Sequence, residues 1–339
     1  MSGSGSRSVD VLAVGNAIVD VLATVDDAFL DDHEMTKGSM QLVDASEAER
    51  IYAAMPPATE ASGGSAANTA VGVASLGGRA AFIGKVRDDQ LGAVYTHDLR
   101  AAGVRFEVAP GAASGPDPTG RSMVLVTPDA ERTMNTNLGI AGQVGPDDVD
   151  AELVAASSVV YAEGYLWDSP SAQAALERTF EIARSNGTLV AFSLSDGGCV
   201  DRHRSDFAAL AAEYVDLLFA NEDEIRSLYE VDDFAAAVAS VQATGQTAFL
   251  TRGALGAVAV RGDEVHTVPA FPVDELVDTT GAGDLFAAGA LHSLCAGGDL
   301  VANARLGALA AAEVISHLGP RPLVSLRELA IDAGLLAAS

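Results

Sequence analysis

Cysteine and lysine are scarce in this 339-residue chain. The two cysteines, Cys199 and Cys295, stand far apart and match neither a C-x-x-C pair nor a metal spacing, so neither a disulfide framework nor a zinc site is indicated. Lys37 and Lys85 are the only lysines, and the remaining 18 of the 20 basic residues are arginine. This usage favours a GC-rich genome, with adaptation to high salt as the second interpretation.

Long apolar runs are absent as well. No uncharged stretch is long enough to cross a membrane, and Met1–Ser8 is a Gly/Ser run without the apolar centre of a signal peptide. We therefore expect a cytoplasmic protein that begins with a disordered leader over residues 1–8. Whether it is a monomer or a homodimer is left open by the sequence.

Positive charge is in deficit, because the formal net charge is −27. Such a surface disfavours nucleic-acid and anionic-membrane partners, which need a basic footprint. It would also repel an anionic substrate such as ATP. A phosphate site would therefore have to be built locally from backbone N–H groups, a metal ion and a few arginines, which act within about 8 Å in physiological salt.

From residue 10 onward, short apolar runs alternate with amphipathic segments. This pattern predicts an α/β fold with a doubly wound, mostly parallel sheet covered by helices. The predicted strands are Val11–Val14, Ala80–Ile83, Ser158–Ala162, Leu189–Leu194, Leu217–Ala220, Ala248–Thr251 and Ala257–Val260. Ser171–Ser185 is a predicted helix with one apolar face, and Gly187 suits its C-terminal cap.

Two stretches interrupt the alternation. Residues 16–45 and 104–137 read as short strands and turns without a long amphipathic helix. They are predicted to form a small β-rich lid. The large α/β domain would then comprise residues 9–15, 46–103 and 138–339.

A glycine-rich turn near the C-terminus carries the strongest chemical signal. Asp278–Gly289 reads DTTGAGDLFAAG, a polar turn that runs directly into a helix of small residues. Free N–H groups at a helix start bind anionic oxygens, and glycines let a phosphate approach the backbone. In this interpretation Gly281, Ala282 and Gly283 cradle a phosphate, and Asp284 accepts the proton of an attacking hydroxyl.

The better-known phosphate loops are absent. Walker A fails because Gly84-Lys85 is followed by Val86 and no other Gly-Lys pair exists. The G-x-G-x-x-G fingerprint also fails, because Phe286 stands at its third glycine position. A second glycine turn, GGSAANTA at residues 63–70, opens an apolar helix; alone it is equally well explained as an ordinary turn.

Together, in this order and spacing, the two turns resemble the N-terminal and C-terminal signatures of the ribokinase/PfkB family of carbohydrate and nucleoside kinases. The resemblance covers nearly the whole chain. It includes GNAIVD at residues 15–20, NEDE at 221–224 and TRGALG at 251–256. It implies a ribokinase-like fold and an ATP-dependent kinase that uses Mg²⁺ and K⁺.

The resemblance also implies roles for individual residues. The catalytic set would be Asp284, Gly281, Ala282, Gly283 and Arg132. The acceptor would be bound by Asn16, Asp20, Met40, Gly63, Gly64, Ser65, Asn68, Leu138 and Tyr165. The nucleotide would be bound by Asn221, Glu222, Thr251, Gly253, Gly256 and Thr280. Glu222 would hold Mg²⁺ through water, and Asp278 with Thr280 would hold the monovalent cation.

Several of these residues have ordinary structural explanations. Asn221 and the acidic residues after it equally suit a helix N-cap and first turn, and Arg132 equally suits a surface arginine on a lid strand. The segment 251–256 alone reads as a strand followed by a turn. An aromatic residue such as Tyr165 after a strand often serves packing only, although it would stack well on a purine.

Within the family, residues 11–44 look most like the adenosine kinases. The predicted reaction is therefore phosphorylation of the 5′-hydroxyl of a purine nucleoside, with adenosine first. The first alternative is a sugar kinase acting on ribose or fructose, and the second alternative is a non-catalytic nucleoside-binding protein. A nucleoside hydrolase is disfavoured because no calcium-binding aspartate cluster lies near the N-terminus.

Overall fold

The computed structural model describes residues 7–338. The strands are β1 (Val9–Val14), β2 (Ile18–Thr24), β3 (Met40–Leu42), β4 (Thr59–Gly63), β5 (Ala80–Ile83), β6 (Arg105–Phe106), β7 (Gly120–Val126), β8 (Arg132–Asn137), β9 (Ser157–Glu163), β10 (Leu189–Ser193), β11 (Leu217–Asn221), β12 (Thr247–Thr251), β13 (Ala257–Arg261) and β14 (Glu264–Val268). The helices are α1 (Asp27–Asp32), α2 (Ala45–Ala54), α3 (Ser65–Ser75), α4 (Gln90–Ala101), α5 (Ala151–Ala155), α6 (Pro170–Asn186), α7 (Gly197–Glu213), α8 (Glu222–Tyr229), α9 (Phe234–Thr244), α10 (Ala282–Cys295), α11 (Leu300–Val314) and α12 (Leu326–Asp332).

The large sheet has nine strands within residues 7–338, in the order β14-β13-β12-β11-β10-β9-β1-β5-β6. Pairing is parallel from β6 to β12 and antiparallel only for β13 and β14. Strand β5 follows on one side of β1, and β9, later in the chain, pairs with β1 on the other side. Reversals of this kind create a crevice at the carboxyl ends of the strands, where ligands bind in such sheets.

Strand β1 shows why both faces of this sheet are buried. Val11 and Ala13 point into the core formed with α3, α10 and α11, whereas Leu12 and Val14 point into the opposite core formed with α6 and α7. All four side chains are buried, as expected for a strand covered by helices on both faces. The predicted doubly wound, mostly parallel fold is confirmed.

The small sheet has the order β3-β8-β7-β2-β4. Helix α2 packs on it, since Ile51 shares a buried cluster with Met123 and Leu125 of β7. The predicted domain boundaries were wrong in two places. Segment 46–63, assigned to the large domain, belongs with the small sheet because β4 pairs with β2, and β6, assigned to the lid, extends the large sheet beside β5.

Arg7, which lies within the predicted disordered leader, has defined hydrogen-bond partners. Arg7 donates hydrogen bonds of 2.9 and 2.8 Å to the carbonyl oxygens of Asn186 and Gly187 at the end of α6. It thereby caps carbonyl groups that the end of a helix leaves unpaired. Residues 1–6 lie outside the described residues. Among residues 7–338, no helix has the length and apolarity to span a membrane.

Candidate active site

A cavity of about 450 Å³ lies between the small sheet and the carboxyl ends of the large-sheet strands. This volume is in the range of small-molecule sites. Seventeen of the predicted site residues line it: Asn16, Asp20, Met40, Gly64, Ser65, Asn68, Arg132, Leu138, Tyr165, Asn221, Thr251, Gly253, Thr280, Gly281, Ala282, Gly283 and Asp284. The structure therefore gathers residues from both glycine turns and from both sheets around one space.

The floor of the cavity is the start of α10. Gly281 is the N-cap residue with φ +81°, and within residues 7–338 no side chain caps this helix terminus. A Cβ at Gly281 would lie 2.7 Å from the carbonyl oxygen of Pro320. The turn therefore needs glycine, and it leaves the orphan N–H groups of a helix start beside the cavity, where they can bind an anion.

Asp284 sits in the first turn of α10 and is held by the other glycine motif. Its Oδ1 accepts a hydrogen bond of 2.6 Å from Ser65 Oγ, and its Oδ2 accepts one of 3.0 Å from Asn68 Nδ2. Burial raises the pKa of Asp284, and these two hydrogen bonds oppose the rise. The carboxylate is thus fixed in place and made more basic than a surface aspartate.

Small residues explain how α3 and α10 approach so closely. A Cβ at Gly72 of α3 would lie 2.6 Å from the Cβ of Ala288 in α10. Thr69 Oγ1 also donates a hydrogen bond of 3.1 Å to the backbone oxygen of Asp284. The run of alanine and glycine that follows each glycine turn is therefore required to bring Ser65 and Asn68 to Asp284.

Asp20 of β2 faces the cavity beside the Gly63-Gly64 turn. A Cβ at Gly63 would lie 1.9 Å from Asp20 Oδ2, and Gly64, with φ +88°, packs against the carbonyl oxygen of Asn16. Within residues 7–338, no hydrogen bond to the Asp20 carboxylate is formed. Burial raises its pKa to about 7, opposed by the charge of Arg321. A buried carboxylate with free acceptor oxygens suits paired hydroxyl donors of a ligand.

The far wall of the cavity is more apolar. Met40 comes from β3, Leu138 follows β8, and Tyr165 follows β9. The Tyr165 backbone N–H donates to Ser195 Oγ at 3.3 Å, which ties the turn after β9 to that after β10. These side chains form a surface on which a flat ring can pack.

Four predicted site residues do not line the cavity: Gly63, Glu222, Gly256 and Asp278. Gly63 lies directly behind Asp20. Gly256 has φ +86°, and a Cβ there would lie 2.1 Å from the backbone oxygen of Val268, so it is required by the turn into β13. Glu222 pairs with Arg252 at 2.7 Å.

Asp278 is fully buried and orders residues 279–283, the turn at the start of α10, which we call the anion turn. It accepts hydrogen bonds from the Thr280 N–H at 2.9 Å, from Thr280 Oγ1 at 2.6 Å and from the Gly319 N–H at 2.9 Å. Asn221 acts as the N-cap of α8: its Oδ1 accepts from the Glu224 N–H at 2.8 Å, and its own N–H donates back to Glu224 at 2.9 Å. The N-cap explanation of this segment is therefore realised.

Glu163 and Arg321 are charged residues near the site that were not predicted as site residues. Glu163, at the end of β9, is buried and accepts hydrogen bonds of 2.7 Å from the N–H groups of Asn16 and Ala66; burial raises its pKa to about 7. Glu163 could have been found from the sequence, because it is a charged residue at the end of an apolar strand. Arg321 reaches Asn68 from the loop after α11, and no local pattern marks it.

The arrangement defines a class of protein: an α/β enzyme in which a helix N-terminus, a fixed carboxylate and a second buried aspartate share one cavity, an arrangement that suits phosphoryl transfer to an alcohol. Residues 36–326 match the pfkB family of carbohydrate kinases. The chain belongs to this family and is a phosphotransferase that acts on a hydroxyl group.

Solved structures and curated relatives agree with this placement. Adenosine kinase from Sinorhizobium meliloti is 50% identical with a TM-score of 0.94, over 96% of this chain and 99% of that chain. A probable sugar kinase from Rhizobium etli CFN 42 is 49% identical with a TM-score of 0.95, over 98% and 100%. Adenosine kinase from Saccharomyces cerevisiae is 28% identical over 91% of this chain and 96% of its own length.

Proposed function

We propose that this enzyme transfers the γ-phosphoryl group of ATP to the 5′-hydroxyl of a purine nucleoside, with adenosine as its acceptor and AMP as its product. One observation carries the proposal: Asp284, fixed by Ser65 and Asn68, lies in the same cavity as the hydroxyl-binding carboxylate Asp20 and the apolar wall. A nucleoside has the matching parts, a sugar with paired hydroxyls and a flat base.

The acceptor would be bound at both of its ends. Asp20, Asn68, Asn16 and the Gly63-Gly64 backbone would hold the ribose hydroxyls, since a carboxylate with free oxygens accepts two hydrogen bonds. Met40, Leu138 and Tyr165 would pack against the base. Ribose bound in this way directs its 5′-hydroxyl toward Asp284, which accepts the proton as the oxygen attacks phosphorus.

The developing charge on the transferred group would be held by the start of α10 and by Arg132. The backbone of Gly281, Ala282 and Gly283 supplies N–H groups, and Arg132 adds a cation from the small sheet. Preorganised donors of this kind supply much of the rate of phosphoryl transfer. The arginine also offsets part of the acidic surroundings.

ATP would extend from this cradle along Thr280, Thr251 and Gly253 toward Asn221. Within residues 7–338, no group of three or more His, Cys, Asp or Glu could hold a metal. Mg²⁺ would arrive on the phosphates of ATP and meet Glu222 through water, since Mg²⁺ keeps several waters. Bound there, Mg²⁺ would neutralise charge on the phosphates.

Asp278 and Thr280 are the predicted ligands of K⁺. The three donors that Asp278 receives from Thr280 and Gly319 satisfy its carboxylate without an ion. We therefore assign to Asp278 and Thr280 the role of ordering the anion turn. K⁺ would act as an activator of that turn. Turnover that is equal in K⁺ and in a bulky organic cation would remove K⁺ from the proposal.

The small sheet is proposed to act as a lid that closes over the acceptor. Closure would exclude water from Asp284 and so prevent wasteful hydrolysis of ATP. An enzyme with this reaction would serve purine salvage in the cytoplasm, where ATP is available. Scattering profiles that are identical for the free and the doubly liganded enzyme would contradict the lid.

A sugar kinase is the second candidate, favoured by the description of the Rhizobium etli neighbour as a probable sugar kinase. The deciding experiment measures ATP consumption with Mg²⁺ and K⁺ for adenosine, inosine, guanosine, cytidine, ribose and fructose. The proposal predicts the highest kcat/KM for adenosine. Turnover with sugars alone would show that the enzyme is a sugar kinase. Adenosine binding without any turnover would favour a non-catalytic nucleoside-binding protein.

A further inference from the structure

Arg321 stands behind the acceptor site, in the loop between α11 and α12. Its Nη1 donates a hydrogen bond to Ser62 Oγ on β4, and its Nε donates one of 3.4 Å to Asn68 Oδ1 on α3. Its Nη2 is buried and has no hydrogen-bond partner within residues 7–338. An arginine keeps its charge even when buried, so a fixed cation stands beside both the small sheet and α3.

The contact with Asn68 bears on the orientation of its side-chain amide. An asparagine amide has one donor end and one acceptor end, and its neighbours decide which way it points. Asn68 Nδ2 donates to Asp284 Oδ2 at 3.0 Å, so its Oδ1 faces the opposite side, where Arg321 donates to it. The three side chains form one directed chain of donors, from Arg321 through Asn68 to Asp284.

Loss of the guanidinium would remove this constraint. Asn68 Oδ1 would then lose this donor, and the amide would be held at the Asp284 carboxylate through Nδ2 alone, so its position would be less tightly fixed. The charge of Arg321 also acts on Asp20, where it is the largest influence that opposes the effect of burial on the Asp20 pKa. The same side chain therefore acts on two carboxylates of the site: on Asp284, the proposed base, through Asn68, and on Asp20, the proposed ring-binding residue, through its charge.

Other charged and titratable groups face Asp284 from the elements around it. Arg132 of β8 favours the ionised carboxylate. Asp20 of β2 and Glu163 and Tyr161 of β9 interact electrostatically with Asp284. None of these contacts the Oδ1 of Asn68 among the described residues, so Arg321 is the group that holds the acceptor end of that amide while Asp284 holds its donor end.

We propose that Arg321 is a positioning residue for phosphoryl transfer: it fixes the Asn68 amide so that Asp284 faces a donor, and it keeps a positive charge beside Asp20 in the acceptor site. The inference rests on the proposed function, in which Asp284 is the base. It assigns a role in the reaction to the loop that follows Gly319-Pro320, a segment outside both glycine motifs.

The first test compares pH–rate profiles of the wild-type enzyme with those of Arg321→Met, Arg321→Lys and Arg305→Met. Arg305 is an exposed arginine of α11 and serves as the matched control. Arg321→Met is expected to lower kcat by about tenfold, the effect of one such hydrogen bond, and to move the acidic limb of the profile to higher pH. Arg321→Lys should recover part of both effects, and Arg305→Met should match the wild type.

The second test is a double-mutant cycle with Asn68→Ala. If Arg321 acts through Asn68, Arg321→Met costs much less in the Asn68→Ala enzyme than in the wild type. The same cycle made with Arg321→Lys, which keeps the charge, decides the question if the methionine variant does not fold. Additive effects together with an unmoved acidic limb would overturn the inference, whereas a wild-type enzyme without turnover would overturn the proposed function instead.

Discussion

Arg132 Nη1 donates a hydrogen bond of 2.7 Å to the carbonyl oxygen of Thr279. The first residue lies at the start of β8 in the small sheet, and the second lies in the anion turn that precedes α10. Thr279 Oγ1 donates back to the carbonyl oxygen of Ala130 at 3.4 Å. The small sheet is therefore joined to the turn that precedes α10 at the edge of the cavity.

The first prediction concerns this junction. Arg132→Ala should lower kcat/KM by between about tenfold and a hundredfold, because it removes a charged donor from the phosphate site and a link between the sheets. Arg132→Lys should be intermediate, since it keeps the charge but not the planar fork. Steady-state kinetics with adenosine and ATP measure this, with the exposed Arg261→Ala as control. Equal kinetics for Arg132→Ala and Arg261→Ala would show that the junction has no catalytic part.

Two glycines of the anion turn should respond in opposite ways to alanine. Gly281→Ala should destabilise the protein by about 1–2 kcal/mol, the cost of a left-handed backbone for a residue with a Cβ, and its Cβ would also meet Pro320. Gly283→Ala has open space around the new Cβ and should stabilise α10 by about 0.5–1 kcal/mol. Its methyl group would nevertheless occupy the space that a phosphate needs.

Denaturant unfolding and ATP binding, measured on the same two variants, separate these effects. Gly281→Ala is expected to lose both stability and activity, and Gly283→Ala to gain stability while binding ATP more weakly. A Gly283→Ala enzyme that binds ATP as well as the wild type would contradict the phosphate cradle.

The pKa of Asp20 predicts how stability depends on pH. Because burial raises this pKa from 3.8 to about 7, the folded protein binds more protons than the unfolded chain between these values. The contribution of Asp20 to the free energy of unfolding is therefore present in full below pH 4 and is lost as pH rises to 7, by up to about 4 kcal/mol. Asp20→Asn should make this loss shallower and raise the free energy of unfolding at pH 8.

Asp129→Asn is the matched control. Asp129 is exposed, and its hydrogen bond with Lys37 lowers its pKa to about 2, so any stability it contributes is present above pH 4 and is lost as pH falls toward 2. Its variant should keep the decline of stability between pH 4 and 7. Urea unfolding of the ligand-free proteins at several pH values tests both. An unchanged pH dependence in Asp20→Asn would refute the assignment.

Seven strands of the large sheet were predictable because they are apolar and bounded by turns, whereas β6 and β14 were not predicted. Strand Ala80–Ile83 forms as predicted. The predicted helix Ser171–Ser185 is one residue longer at each end, at Pro170–Asn186, and Gly187 caps it with φ +64°. Strand β4 was missed because its sequence, TEASG, has no apolar run and is partly exposed. Its place beside β2 is decided by backbone pairing and by close packing at Gly63, which sequence patterns do not report.

Site residues were predictable where the chemistry is local. Both glycine turns are contiguous motifs, and Gly281 and Gly64 have the positive φ angles that such turns need. Glu163 and Arg321 act through contacts with residues distant in the sequence: Glu163 accepts a hydrogen bond from Asn16, and Arg321 donates one to Asn68. No spacing along the chain records such contacts.

The most direct test of the account is phosphoryl transfer to adenosine by Asp284→Asn, with adenosine binding measured on the same preparation. The account predicts binding close to that of the wild type and a fall in kcat of about a hundredfold to ten-thousandfold, the usual contribution of a general base. Asp263→Asn, at an exposed hairpin turn, should match the wild type in both. Unchanged turnover in Asp284→Asn would contradict the assignment of the base.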